Sequence, residues 1–291
     1  MSTQNKDYYF IRVGSDSGED VPYSMIIDNR LLFIPIANID ITKNEEYSYE
    51  ELCQFPTHSK LMNYFGKPNS NKEFINFHLD PFFNFNNTGE FSYGDRTKTK
   101  KGRKVVNITK AIALTNLQNT DKEKYIFFLA TVITPEKEFL NSIKKLTWED
   151  VRTKQEDEDK QLALIGYFKV KKVMIFDKKH KNQKQIIHTF KHNSHVRRKN
   201  EFKECLNIRD KKLIFVLGDK KNSKFLFKNP IILSKSTNNG HYELIKEVRK
   251  KYFKNKTKAF GYRAYKFFDK DTLNLDVLLK DIKNRLTPNH K

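Results

Sequence analysis

Residues 162–176 read Leu-Ala-Leu-Ile-Gly-Tyr-Phe-Lys-Val-Lys-Lys-Val-Met-Ile-Phe. An apolar and aromatic run of this length predicts one long strand, with polar interruptions at Lys169, Lys171 and Lys172. Upstream, Tyr125–Ile133 predicts a buried strand, and Lys110–Leu117 one or two helical turns before it. Tyr8–Val13 alternates and ends at Gly14, a strand running into a turn. Leu31–Ile36 follows a turn at Asp28-Asn29-Arg30 and is expected to pair with Tyr8–Val13 as a hairpin, with Gly18 to Pro22 as a loop. Tyr49–Cys53 and His58–Phe65 predict short helices. Pro135–Leu146 predicts another, with proline in its first turn and Lys144 and Lys145 near its end. Leu213–Leu217 and Lys224–Phe227 suggest a further strand pair. The spacing of Tyr242, Ile245, Val248 and Tyr252 fits a basic amphipathic helix, as does Thr272–Leu286. Strands and helices mix without regular alternation, so the expected class is α+β, a mixed, strongly twisted sheet or partly closed barrel with flanking helices.

Composition narrows the function classes. The chain has 291 residues, 37% hydrophobic, with 24 Phe and 13 Tyr, which supports a folded core and argues against disorder. No apolar run of about eighteen residues is present, so no membrane span is expected. The start MSTQNKDYYF lacks the pattern of a signal peptide. Cys53 and Cys205 stand far apart, which argues against a disulfide framework and a cysteine zinc site. The expected location is the cytoplasm. Residues 169–291 hold 34 lysines and arginines against 11 acids, whereas residues 1–168 hold 22 against 24. A genome biased toward lysine would load both halves alike. The asymmetry points instead to a polyanionic partner, because neutralising phosphates releases counterions.

The polar candidates cluster. His78-Leu79-Asp80-Pro81 and Phe91-Ser92-Tyr93-Gly94-Asp95 place an imidazole and two carboxylates within eighteen residues, among Phe82, Phe83, Phe85 and Phe91. Carboxylates among rings are costly unless paired, hydrogen-bonded or in use. On an extended segment His78 and Asp80 share a face, so Asp80 can orient the imidazole; Asp80-Pro81 is equally an ordinary turn pair. Gly94 permits a left-handed backbone that would turn Asp95 toward a pocket, and a surface turn with Arg96 fits the same residues. Asp16, between two serines after Gly14, suits either a phosphate-binding nest with Arg12 or a plain Asx-turn. In His192-Asn193-Ser194-His195-Val196-Arg197-Arg198 the paired arginines suit phosphate and His195 a proton, though a basic connecting loop looks similar. Lys100, Lys101 and Arg103, in the stretch TKTKKGRK, are expected on a solvent-facing basic loop. His58 reads as a capping or exposed residue.

Taken in order, several motifs look familiar. They are Ile11-Arg12-Val13-Gly14-x-Asp16-Ser17-Gly18, Phe33-Ile34-Pro35-Ile36, His78-Leu79-Asp80-Pro81 and Phe91-x-Tyr93-Gly94-Asp95. Later come Ile165-Gly166-Tyr167-Phe168, Asn193-x-His195-Val196-Arg197-Arg198, and Leu226-Phe227 with Ile231-x-Leu233-Ser234. Together they resemble the third of the nucleotide modification associated domains, over roughly residues 8–235. Members tend to carry Gly-Asp before the strand that here begins at Tyr125, where this chain has Lys124. The resemblance implies an α+β domain with a polar site, linked to systems that make or handle modified bases in DNA of phages, bacteria and archaea. It supplies no established reaction. The Ile-Gly-Tyr-Phe-x-Val strand also resembles those of PUA-like and EVE-type barrels, which read extruded bases. That likeness is one of fold alone.

The resulting expectation is a nucleotide modification associated domain over residues 1–240, with a basic helical extension, 241–291, packed on it. The expected function is enzymatic, in DNA base modification or modified-nucleotide processing, with glycosidic-bond or transferase chemistry. Asp16, His78, Asp80 and Asp95 would line the site. Arg12, His195, Arg197, Arg198, Lys100, Lys101 and Arg103 would hold phosphate. The alternative is a non-catalytic reader or sensor of modified DNA in antiviral defence, with a flipped base in an aromatic-lined pocket. The expected partner is nucleic acid, DNA in preference to RNA, or a nucleotide. The donor types admit a divalent metal held by the carboxylates and His78, but the spacing prescribes none.

Overall fold

The computed structural model describes residues 8–14, 21–38, 47–55, 58–59, 64, 76–101, 104–119, 123–144, 146–237, 241–260 and 265–286. In chain order the strands begin with β1 (Tyr8–Arg12), β2 (Ser24–Ile27), β3 (Arg30–Leu32), β4 (Ile36–Asn38) and β5 (Tyr47–Ser48). Next come β6 (Asn76–His78), β7 (Phe82–Phe83), β8 (Phe91–Arg96), β9 (Lys98–Lys101) and β10 (Lys104–Asn107). The second half supplies β11 (Tyr125–Ile133), β12 (Gln161–Phe176), β13 (Leu213–Gly218), β14 (Lys224–Phe225), β15 (Ile231–Ser236), β16 (Tyr242–Leu244) and β17 (Tyr265–Phe268). The α-helices are α1 (Tyr49–Gln54), α2 (Thr109–Leu114), α3 (Lys137–Ile143), α4 (Trp148–Gln155) and α5 (Gln183–Thr189). They continue with α6 (Ser194–Arg197), α7 (Lys199–Asn207), α8 (Lys246–Tyr252) and α9 (Leu275–Leu286).

The long strand β12 organises the molecule. Its first half lies antiparallel to β11, from Gln161 opposite Val132 to Lys169 opposite Tyr125, and also pairs with β14 and β15. Its second half pairs with β13, and the register shifts between Val170 and Lys172. The lysine interruptions thus mark the place where the strand changes partner. A bulge there bends and twists the chain, and the ammonium groups sit on its exposed stretch. The path β17-β1-β11-β12-β13-β8-β7 is a mixed α+β sheet curled into a half-barrel.

Both faces of this sheet are buried. Ile126, Phe128 and Ala130 enter one core with Tyr9, Ile11, Ala163 and Ile165. Tyr125, Phe127 and Leu129 enter the opposite core with Phe10, Leu162 and Leu164. This is why β11 reads as a continuous apolar run and not as an alternation. The second core is closed by Tyr252, Phe253, Leu278 and Ile282, from and beside α8 and α9. The chain beyond residue 240 also gives β16, paired with β15, and β17, paired with β1. A third cluster packs α5 and α7 on β13 through Ile186, Phe190, Phe202 and Phe215.

Three local expectations are corrected, the first being that Tyr242, expected on a helix, lies on β16, and α8 begins at Lys246. The β1 strand does not form a hairpin with Leu31–Ile36: it pairs parallel to β11 and antiparallel to β17. Asp28 and Asn29 both have positive φ, 49° and 59°, the signature of a two-residue turn, so β3 must pair with the strand just before that turn, β2. The stretch from Lys98 is not a plain loop either, since β9 and β10 pair as an antiparallel ribbon. Among the described residues no helix is long and apolar enough to cross a membrane.

Candidate functional site

A cavity of about 290 Å³ opens where β1, β6, β8, α2 and α6 meet, lined in part by Arg12, His78, Asp80, Asp95, Lys110 and His195. Its floor begins with the hairpin of β7 and β8, which sets Phe82 opposite Ser92 and Phe83 opposite Phe91. That pairing brings Asp80 under the backbone of β8. The Gly94 N–H donates to both Asp80 carboxylate oxygens, at 3.1 and 2.9 Å, and Asn193 Nδ2 donates to Oδ1 at 3.2 Å.

Gly94 is needed for a reason other than a left-handed backbone. It lies in a regular strand, and positive-φ glycines among the described residues are Gly14 and Gly89. A Cβ at Gly94 would lie 2.6 Å from His195 Cδ2 and 2.7 Å from Asn193 Oδ1. The missing side chain lets α6 settle on β8. Asn193 caps α6 by accepting from the His195 N–H at 3.0 Å while its amide holds Asp80. One residue therefore ties the helix to the carboxylate.

His195 stands between two acids. Its Nδ1 is 3.1 Å from Glu201 Oε2, and its Nε2 is 3.6 Å from Asp80 Oδ2. His78 Nε2 approaches the same Asp80 oxygen at 3.9 Å, and the two imidazoles meet edge to face at 4.8 Å. Glu201 also takes the Arg96 guanidinium at 3.0 Å and Arg198 at 3.6 Å. Burial acts to raise the Glu201 carboxyl, but His195, Arg96 and Arg198 together hold it well below its ordinary range. Asp95 accepts from Tyr93 Oη at 3.1 Å and from its neighbour's N–H, and pairs with Lys110 at 3.0 Å. Against burial, Lys110, with His195 and the Arg96 N–H, keeps Asp95 below its ordinary value. For Asp80, burial dominates and raises it well above, with the charge of Asp95 adding to the rise. Burial and the neighbouring charges thus push the two carboxyls in opposite directions.

Of the residues singled out in the sequence, Arg12, His78, Asp80, Asp95, His195 and Arg198 line this cavity. Arg12 donates to Thr131 Oγ1 at 3.2 Å and lies 4.8 Å from the Tyr242 ring centre. Arg197 turns elsewhere, to Glu51 at 2.9 Å and over the Tyr47 ring at 3.9 Å. Asp16 and Arg103 lie outside the described residues, as do the side chains of Lys100 and Lys101, which belong to β9. The expected aromatic lining is corrected: Phe82, Phe83, Phe85 and Phe91 pack in the main core, and the cavity's aromatic ring besides its imidazoles is Tyr93. His58 is neither a cap nor exposed; it is buried against Phe33, Phe55 and Phe85. Glu201 was not anticipated. Its signal in the sequence is an acid following the basic stretch Lys191–Lys199, six residues after His195.

His78, Asp80 and His195 each direct one donor atom to a common space, all within 4.8 Å of one another. Two imidazole nitrogens and a carboxylate oxygen can hold a transition metal, or can move protons to and from a bound substrate. Comparisons with curated proteins and with solved structures return no match. The family model of nucleotide modification associated domain 3 matches residues 9–266, reaching past the last motif of the sequence to include β16 and the start of β17, and the chain belongs to that family.

Proposed function

We propose that the cavity is the reactive centre of an enzyme that modifies a base or processes a modified nucleotide, free or within nucleic acid. Membership of the family ties the chain to nucleotide modification systems. The single observation that carries the enzymatic reading is the convergence of the buried Asp80 and His195 and the half-buried His78 on one cavity. Asp80 and the two imidazoles face the reacting atoms, and Glu201 and Asn193 hold them in place. Arg12 and Arg198, on the cavity wall, suit a substrate phosphate. A reader of an extruded base would instead need stacking surfaces, and among the described residues Phe82, Phe83, Phe85 and Phe91 pack in the core.

The test is nucleoside mass spectrometry on unmodified DNA, modified phage DNA, RNA and nucleotide pools incubated with the protein, with and without divalent metal ions. The expected result is a nucleoside that appears or vanishes with the native protein and not with Asp80→Asn. Unchanged nucleosides across all substrates, from a protein that is folded, overturn the enzyme; preferential binding of modified DNA in that case establishes the reader.

A further inference from the structure

The geometry points to a mononuclear divalent-metal site formed by His78 Nε2, Asp80 Oδ2 and His195 Nε2. The inference goes beyond the reading above, since a metal can serve either an enzyme or a reader in this cavity.

The separations are the first reason. Asp80 Oδ2 lies 3.6 Å from His195 Nε2 and 3.9 Å from His78 Nε2, and the three donor atoms fall within 4.8 Å. These distances are too long for hydrogen bonds. Two ligands on one ion, each bonded at about 2.0–2.2 Å, stand about 3–3.6 Å apart in octahedral or tetrahedral geometry. Asp80 is therefore open to each imidazole by up to about an ångström, and the two imidazole donors, within 4.8 Å, by up to nearly 2 Å. The triad's most exposed member, His78, with a side chain 14% exposed, has room to close on an ion.

The second reason is the shell behind the donors. A metal-bound imidazole almost always gives its other N–H to a carboxylate or carbonyl, which fixes tautomer and ring plane. With its Nδ1–H given to Glu201, 3.1 Å away, a neutral His195 would turn its Nε2 lone pair toward Asp80. The Gly94 N–H and the Asn193 amide fix the Asp80 carboxylate. Hydrogen bonds thus orient the Asp80 and His195 donors from behind, toward the common space.

The third reason is charge. The Asp80 side chain is 2% exposed, and a buried carboxylate is costly without a cation. Three of the cavity's basic side chains pair with other acids, Lys110 with Asp95, and Arg96 and Arg198 with Glu201, while Arg12 donates to Thr131. A divalent ion at Oδ2 would bring positive charge into direct contact with the Asp80 carboxylate. Two nitrogens and one oxygen favour first-row ions such as Zn²⁺, Mn²⁺, Fe²⁺ or Co²⁺ over Mg²⁺ or Ca²⁺, which prefer all-oxygen sites. Three protein ligands beside a cavity leave coordination positions for water or substrate, the pattern of reactive sites and not of structural ones. A bound ion would lower the pKa of a coordinated water or polarise a phosphoryl oxygen.

The experiment uses the full chain, stripped with chelator and re-equilibrated with Zn²⁺, Mn²⁺, Co²⁺ or, without oxygen, Fe²⁺. Metal per chain is measured after desalting, affinity by calorimetry, and the ligand field by the visible spectrum of Co²⁺. The expected result is one ion per chain and a Co²⁺ band. Both should be lost in His78→Gln and His195→Gln, with affinity about 10- to 100-fold weaker in Glu201→Gln. His180→Gln is the control for adventitious binding, because His180 pairs with Asp177 on the exposed surface; it should change nothing. Circular dichroism confirms that each variant is folded, and His78→Gln, at the least buried ligand, remains informative if the others are not. No bound ion, or an ion whose affinity and spectrum survive both histidine substitutions, overturns the site. Metal binding with unchanged nucleosides leaves this site standing and removes the enzyme, whereas turnover by a protein that binds no metal removes this site alone.

Discussion

Replacing Gly94 with alanine adds one methyl group, which should disable the cavity while leaving the fold in place. The new Cβ would lie 2.6 Å from His195 Cδ2, 3.2 Å from its Cγ and 2.7 Å from Asn193 Oδ1. Carbon atoms settle at about 3.5–4.0 Å, so α6 must retreat by about 1 Å. That retreat would lengthen the 3.1 Å His195–Glu201 contact and the 3.2 Å Asn193–Asp80 hydrogen bond beyond useful range. Overpacking of this kind costs about 1–3 kcal/mol, and misplacing a reactive group by about 1 Å costs on the order of 100-fold in rate. Gly166→Ala is the matched comparison. Its Cβ would come 2.5 Å from the Phe83 ring and 2.7 Å from the Lys224 carbonyl, inside the core and away from the cavity. Urea unfolding should show similar destabilisation in both variants. Metal affinity and nucleoside turnover should fall about 100-fold only in Gly94→Ala. Equal function in Gly94→Ala and the native protein, or equal losses in the two variants, would refute the close packing of α6 on β8 as the basis of the site.

Two further outcomes test the surroundings. Burial pushes the His58 imidazole down to about 3, below its unfolded value of about 6.5, so its contribution to stability is complete above about pH 6.5 and is lost as pH falls toward 3. About 2 kcal/mol should disappear between pH 7.5 and pH 5, read from urea midpoints, and His58→Phe should lack that component; an identical pH dependence in the two proteins would remove the argument. Truncation after residue 240 strips β16, β17, α8 and α9 and uncovers Phe10, Phe127 and Leu129. The shortened chain should lose its cooperative unfolding transition by circular dichroism, and an unchanged transition would mean that the back face is stable uncovered.

What the sequence made legible follows from which signals are local. β11 and β12 were visible because burial on both faces leaves an apolar run that no turn interrupts. The β2–β3 connection was visible as a turn because Asp28-Asn29 carries its own geometry. Partner choice was not visible. β1 finds β11 more than a hundred residues later and β17 from near the other end of the chain, and no residue in Tyr8–Arg12 names either. The cavity was half legible for the same reason. His78 and Asp80 announce themselves by their spacing, but the significance of Glu201 depends on which ring its helix brings near. His58 shows the converse: its burial is decided by Phe33, Phe55 and Phe85, distributed over some fifty residues of chain.

The charges of the cavity link the two proposals. Asp95 and Glu201 already have lysine and arginine partners, so these acids contribute shape and orientation more than net charge. Asp80 is the acid whose ionic contacts are imidazoles alone among the described residues. On the two proposals, a guest brings positive charge to Asp80, while Arg12 on the same cavity wall favours negative charge. A phosphate-bearing substrate meeting a metal ion at Asp80 meets both demands together. A metal-free uncharged base meets neither. If both proposals hold, a nucleotide should bind more tightly in the presence of the ion than without it, by calorimetry, and equal affinities would separate the two proposals.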